Sequence, residues 1–281
     1  MSARVASLAG FPAVTLGTMA IPVEETVAAV HRAIALGYRS FDTAPIYGNE
    51  AEVGEAIRTA PIERSELFVT TKLWNSCHGY DAALAAFERT MQRMKLNVLD
   101  LYLIHWPVPG QNRFVETWKA LVRLRDEGRI RAIGVSNFLP EHLDCIIAET
   151  GVAPAVNQIE LHPSFQQAAL REFHNRSGIA TQAWSPLGHG GDLADPVVTG
   201  IARSLGCAPA QLILRWLVQL GVLPVVKASS PAHMAQNLAL DDFVLSDRDL
   251  AAMGQLDRGE SCFGVDPRTF VAPEGMEDYC P

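Results

Sequence analysis

The chain has 281 residues, 48% of them hydrophobic and 19% charged, with 31 acidic against 23 basic residues and a formal net charge of −8. That apolar fraction excludes an intrinsically disordered chain, and the length suffices for a large buried core. The acidic balance argues against general binding to a nucleic-acid backbone, which needs clustered Lys and Arg, but leaves room for a basic pocket that takes one small anion. From the N-terminus, a β-like run at Val14–Thr18 precedes a helix over Glu24–Leu36, in which Val27, Val30 and Ile34 recur at helical spacing and which Gly37 ends. Further strands are expected at Tyr38–Asp42, Leu67–Lys72, Leu99–His105, Ile130–Ser136, Ala155–Gln158, Ile179–Trp184 and Val222–Lys227. Helices are expected between them at Glu50–Thr59, Asp81–Met94, Phe114–Glu127, Pro140–Glu149 and Gln167–Arg176, and a pair at Val197–Leu205 and Ala210–Leu220 precedes the last strand. The tail from Asp257 to Pro281 has little periodicity and is expected to drape over one end.

Continuous β-branched strands between helices mark a parallel sheet buried on both faces. Eight strand–helix units in this length fit a closed (β/α)8 barrel, the TIM barrel, as a single domain. An open doubly wound sheet would want G-x-G-x-x-G after its first strand. That pattern is absent; Gly188-His189-Gly190-Gly191, far down the chain, is the nearest approach. The cysteines Cys77, Cys145, Cys207, Cys262 and Cys280 are widely spaced, odd in number and form no C-x-x-C pair. Neither a disulfide framework nor a structural zinc site is expected, and a reducing, cytoplasmic compartment fits. No run of ~18 apolar residues suggests a membrane span. Arg4 and the apolar stretch up to Val23 have the outline of a secretory leader, but Pro12, Thr15, Gly17 and Pro22 interrupt it, so a first strand is expected there.

In such barrels the active site lies at the carboxyl ends of the strands. The residues at those exits are Gly17-Thr18, Asp42, Lys72, His105, Ser136-Asn137, Gln158, Trp184 and Lys227, nearly all polar or aromatic although the strand interiors are apolar. Asp42, Tyr47, Lys72 and His105 make a chemical set. A tyrosine is a poor acid near neutrality, since its free pKa is ~10, but an adjacent ammonium favours the phenolate and makes the phenol a better donor. Lys72 offers that charge, Asp42 is a partner to hold Lys72, and His105 is placed to orient a substrate carbonyl. Each has a plain structural alternative: a barrel ion pair for Asp42 and Lys72, a satisfied core histidine for His105, a packing aromatic for Tyr47.

The stretch Gly37-Tyr38-Arg39-Ser40-Phe41-Asp42-Thr43-Ala44-Pro45-Ile46-Tyr47-Gly48-Asn49-Glu50, running on to Gly54, resembles the first signature of the aldo-keto reductase family. Met91 to Pro107, ending LDLYLIHWP, resembles the second, and Val225-Val226-Lys227 with Asn237 the third. The likeness runs from about Phe11 to Phe270, and the compact loop after Trp106 with Asp266-Pro267-Arg268-Thr269-Phe270 is most similar to the bacterial diketogluconate-reductase branch. The resemblance implies hydride transfer between the nicotinamide of NAD(P)H and a carbonyl carbon, without metal or flavin. It makes Tyr47 the general acid, Lys72 and Asp42 its tuners, and His105 the carbonyl-orienting residue. It assigns Ser136, Asn137 and Gln158 to the carboxamide and Trp184 to the nicotinamide face. Ser185, Pro186, Leu187 and Gly188 fall to the pyrophosphate, with Gly17 and Thr18 among the cofactor contacts. Lys227, Ala228, Ser229, His233, Gln236 and Asn237 fall to the adenosine end.

Three of these depart from the family pattern. Ala228 stands where Ser is usual, His233 where an Arg clamps the 2′-phosphate, and Gln236 where Glu is usual. A neutral His offers one donor, against the permanent bidentate fork of Arg. NADPH is therefore expected as cofactor, with NADH usable. Met19, Ile46, Trp74, Trp106 and Phe263 are expected to ring the pocket mouth, which suits small aldehydes, ketones and keto-sugars. The branch suggests keto-sugar acids, yet no Arg sits at a strand exit to fix a carboxylate. Two other functions compete. A Schiff-base lyase would use Lys72 or Lys227, but such an amine needs a lowered pKa, and Asp42 beside Lys72 does the opposite. A regulatory module would keep the cofactor without useful catalysis. Neither H-E-x-x-H nor G-x-S-x-G is present. The partner expected is a small carbonyl compound, with no nucleic acid or membrane, and the chain is expected to be a monomer.

Overall fold

The computed structural model describes residues 10–271. Arg4 of the leader-like stretch, Cys280 and the end of the tail lie outside them. Eight parallel strands close into a barrel in sequential order: β1 (Thr15–Gly17), β2 (Ser40–Asp42), β3 (Phe68–Leu73), β4 (Leu99–Ile104), β5 (Ile130–Ser136), β6 (Val156–Glu160), β7 (Ala180–Trp184) and β8 (Leu223–Val226). The helices α1 (Val23–Leu36), α2 (Glu50–Arg58), α3 (Tyr80–Met94), α4 (Phe114–Asp126), α5 (Pro140–Thr150) and α6 (Ala168–Ser177) alternate with them, and α7 (Pro196–Leu205) and α8 (Pro209–Gln219) fill the last crossover. Two further helices, α9 (Pro231–Leu238) and α10 (Asp247–Gly254), follow β8 where the sequence suggested no element. No single described helix is long and apolar enough to cross a membrane.

Local rules explain these elements. Helices α5, α7, α8 and α9 each start on a proline, whose missing N–H is unpaired at that position in any helix. Helix α1 buries Ala29, Val30, Ala33 and Ile34, one face at helical spacing, against the sheet. Gly54 lets α2 approach α3: a Cβ there would stand within 2.6 Å of the Met94 Cα.

Strand parity divides the core in two. Tyr102, Ile104, Ile133 and Val135 point outward into the layer between sheet and helices. Leu101, Leu103, Val156 and Leu223 point inward and form a separate inner cluster with Phe11. Each such leucine, fully buried, contributes ~1.5–3 kcal/mol. Phe11 meets Phe68 edge-on, ring centroids 5.5 Å apart, so apolar packing fills the amino-terminal end of the barrel. Because side chains alternate with a period of two, the inward positions continue upward to Asp42, Lys72, His105, Ser136, Gln158, Gln182, Trp184 and Lys227. The same parity that packs the bottom with leucine brings the polar exits together at the top.

Some boundaries differ from expectation. Strands β1 and β2 have three residues each, and β4 and β8 stop one short, leaving His105 and Lys227 just beyond the ladder. Residues 257–271 carry no helix or strand. Cys145, Cys207 and Cys262 are free thiols, whereas Cys77 is disulfide-bonded, one exception to the reduced-thiol reading.

Candidate active site

Lys72, on β3, is completely buried. Its Nζ donates to Asp42 Oδ1 (2.5 Å), to the carbonyl of Thr43 (3.1 Å) and to Tyr47 Oη (3.3 Å). An ammonium has three hydrogens, so this places all of them. The phenol oxygen of Tyr47 accepts from Lys72, which leaves its own hydrogen to point into the cavity that Tyr47 lines. The turn carrying Tyr47 is pinned by Asn49, whose Nδ2 donates to the Thr18 carbonyl (3.0 Å) and whose Oδ1 accepts from Thr43 Oγ1 (2.8 Å).

The charges follow from this geometry. Burial works against a charged Lys72, but the carboxylate of Asp42 and the oxygen of Tyr47 outweigh it, so its pKa lies above the ordinary lysine value. Burial pushes Tyr47 above the ordinary phenol value against the pull of Lys72. Lys72 pulls in the direction expected of an adjacent ammonium, but desolvation outweighs it, and Tyr47 is a neutral phenol in the chain by itself. Burial, and then the charge of Lys72, hold His105 well below the ordinary histidine value, so its imidazole is neutral. Its Nδ1 is buried without a hydrogen-bond partner, and its ring meets Trp74 and Tyr47 edge-on at 5.2 and 6.1 Å.

A second network surrounds the first. Gln158 Nε2 donates to Asp42 Oδ2 and to Gln182 Oε1, both at 2.8 Å. With both amide hydrogens placed, Gln158 Oε1 is left as an acceptor. Gln182 went unread in the sequence; its signal was register, since it pairs with Gln158 across β6 and β7. Ser136 Oγ donates to the Gln158 carbonyl at 2.7 Å. Asn137, at a φ of 62° that Asn tolerates well, donates through Nδ2 to the His105 carbonyl and accepts at Oδ1 from Trp184 Nε1 (2.8 Å). That bond fixes the plane of the Trp184 indole.

These groups open on a cavity of about 450 Å³. Its wall holds Asp42, Tyr47 and His105, the expected mouth residues Met19, Ile46, Trp74, Trp106 and Phe263, and Gly17, Ser136, Asn137, Gln158, Trp184, Ser185, Pro186 and Lys227. Val225, Val265 and Phe270 complete it, and Phe270 stacks on Trp106 with ring centroids 4.1 Å apart. The remaining expected residues are off this wall. Thr18 is buried, its hydroxyl donating to the Asp42 carbonyl (3.0 Å). Gly188 has a φ of 54° and no room for a side chain, since a Cβ would stand 2.5 Å from Asp192 Oδ2. Ser229, His233 and Gln236 are exposed around the start of α9, while Ala228 and Asn237 are buried. Ser230 caps that helix by accepting from the His233 N–H at 3.1 Å.

Residues 13–258 match the Aldo/keto reductase family. The chain belongs to this family. It is an oxidoreductase on a TIM barrel, and the likeness read from the three signatures holds over nearly the whole fold. An aldo-keto reductase of Mycolicibacterium smegmatis is 54% identical over 259 residues, covering 92% of this chain and 94% of that protein. The morphine 6-dehydrogenase of Pseudomonas putida is 47% identical, covering 92% and 91%. Among solved structures, a variant of Gox0644 in complex with NADPH superposes with a TM-score of 0.89 at 47% identity, covering 93% of this chain and 95% of that one.

Proposed function

We propose that this reductase converts a neutral aldehyde or ketone to the alcohol, with NADPH as cofactor and Tyr47 as the proton donor. The observation that carries it is the hydrogen bond from the buried, Asp42-paired ammonium of Lys72 to Tyr47 Oη. NADPH supplies the hydride when bound. The donor set fits it: Gln158 Oε1 is an acceptor without a hydrogen of its own, suited to a carboxamide N–H₂, beside Ser136 and Asn137. The fixed Trp184 face suits a flat ring. Lys227, Ser229, Ser230 and His233 offer a cation and donors to a phosphate near the α9 N-terminus.

Tyr47 gives its hydrogen to the carbonyl oxygen as negative charge develops there. Lys72, already donating to Oη, stabilises the phenolate left behind, and Asp42 keeps Lys72 charged. His105, neutral, donates one N–H to the same oxygen and so holds the carbonyl in line. A reaction through an amine nucleophile is disfavoured, because Lys72 is shifted toward its charged form.

The apolar, aromatic mouth selects the substrate. Lys227 is the one cationic side chain on the described cavity wall, and it follows β8 directly, on the segment that leads to the proposed phosphate contacts. A substrate carboxylate therefore finds no dedicated partner, which favours neutral carbonyls over keto-sugar acids. NADH remains usable because His233 replaces a fixed cation. Following NADPH absorbance with matched pairs of neutral aldehydes and keto acids tests the reading: higher kcat/KM for the neutral member supports it, and no NADPH consumption with any carbonyl refutes it.

A further inference from the structure

At the carboxyl end of β6, Glu160 and, two residues on, His162 meet Cys262 of the C-terminal segment, and one ligand-type atom from each lies within 4.8 Å of the other two. Glu160 and His162 are buried, and Cys262 is exposed. We propose that Glu160, His162 and Cys262 form a site for a thiophilic divalent cation, Zn²⁺ foremost, which staples the C-terminal segment to the barrel.

The spacing suits a tetrahedral ion. His162 Nε2 is 3.2 Å from Glu160 Oε1 and 3.3 Å from Cys262 Sγ. Atoms bound to one zinc at ~2.0–2.3 Å lie roughly 3.3–3.6 Å apart, so two edges of the tetrahedron are close to the right length. The exposed Cys262 side chain is free to close the third. The ligands are also held from behind. His162 Nδ1 is 3.0 Å from Asp192 Oδ2, and Asp192 Oδ1 accepts from Ser164 Oγ at 2.6 Å. Asp192 takes the Nδ1 hydrogen and leaves Nε2 to the cluster, the way outer carboxylates orient metal-binding histidines. Glu160 is held by Ser261 Oγ on Oε2 (2.6 Å) and by the Cys262 N–H on Oε1 (2.7 Å).

Glu160 Oε1 and Cys262 Sγ both lie within 3.3 Å of His162 Nε2, so a cation between them would take one ligand atom from each residue. The thiolate argues against Mg²⁺ and Ca²⁺, which take oxygen ligands, and the mixed N, O and S set suits zinc. Phe263, next to Cys262, packs edge-on against Trp184 (5.1 Å) and His189 (4.6 Å) and lines the reaction cavity. An ion here would fix the segment that narrows the cavity mouth. The site touches no reacting atom and stands independently of the reductase reading.

The test uses the untagged full chain, stripped with chelator, equilibrated with Zn²⁺ or Co²⁺ and separated from free metal. Elemental analysis should find stoichiometric zinc, and the cobalt form should show a thiolate-to-metal charge-transfer band. Cys262→Ser should lose that band and bind zinc at least roughly tenfold more weakly, while Cys145→Ser/Cys207→Ser keeps both properties. Substoichiometric zinc, a cobalt complex without the band, or unchanged affinity in Cys262→Ser would each overturn the proposal.

Discussion

Removing Lys72 tests how the site is held together. In Lys72→Met the Asp42 carboxylate stays buried with its Gln158 contact only, and the Thr43 carbonyl and Tyr47 Oη lose their shared donor. Removing one partner of a buried ion pair costs ~3–5 kcal/mol, mainly because the other charge is left unpaired. At about 2.1 cal/mol/K per residue, 281 residues carry an unfolding entropy of roughly 590 cal/mol/K. The loss then lowers Tm by about 5–8 °C. Asp42→Asn in the Lys72→Met background removes the stranded charge, so the double variant should be more stable than the sum of the two single losses by ~1–3 kcal/mol. Calorimetry or urea unfolding of the four proteins measures that coupling. Strictly additive losses would refute the idea that these two groups are held as a desolvated pair.

Three further outcomes follow from other parts of the structure. His233→Arg adds a fixed cation beside the proposed phosphate contacts and should raise the NADPH:NADH ratio of kcat/KM by ~10–100-fold, a charge-assisted hydrogen bond being worth ~1.5–3 kcal/mol; an unchanged ratio would place the 2′-phosphate elsewhere. Gln182→Leu removes one of the two acceptors that orient Gln158 and should raise the KM for NADPH about 5–10-fold with kcat nearly unchanged; a fall in kcat alone would contradict the positioning role. His174 accepts at Nε2 from Asn157 and faces Thr181 through Nδ1, and burial pushes its pKa down to about 4. Its folded value lies below the unfolded ~6.5, so its contribution is full above pH ~6.5 and is lost as pH falls toward 4, by about 2 kcal/mol at pH 5. Urea unfolding at pH 7.5 and 5 should show a drop smaller by that amount in His174→Gln, and an equal drop would remove His174 from the account.

Much of the barrel was legible because two periods rarely coincide by accident. Helical spacing in α1 and the runs of β-branched, leucine and aromatic residues in β3 to β5 state their own structure. The grouping of the candidate site was legible because strand exits in a barrel share one end and one parity, so Asp42, Lys72 and His105 needed no long-range information to be placed together. Helices α9 and α10 were missed because each has only eight residues, too few to establish a period. Gln182 was missed because it lies one layer below an exit and acts only through Gln158. The raised pKa of Tyr47 was not readable either: the sign turns on whether burial or Lys72 wins, and burial belongs to the fold. The Glu160–His162–Cys262 cluster joins residues a hundred positions apart, and spacing rules for metal sites look at local ligands.

The proton-donor role of Tyr47 is the central claim, and Tyr47→Phe removes one oxygen from it. In this variant NADPH binding, followed by quenching of Trp184 fluorescence, should keep its affinity, because no proposed cofactor contact uses that oxygen. Turnover of a neutral aldehyde should fall by ~10²–10⁴-fold, the range for general acid catalysis. Retention of near wild-type turnover with intact binding would contradict the account.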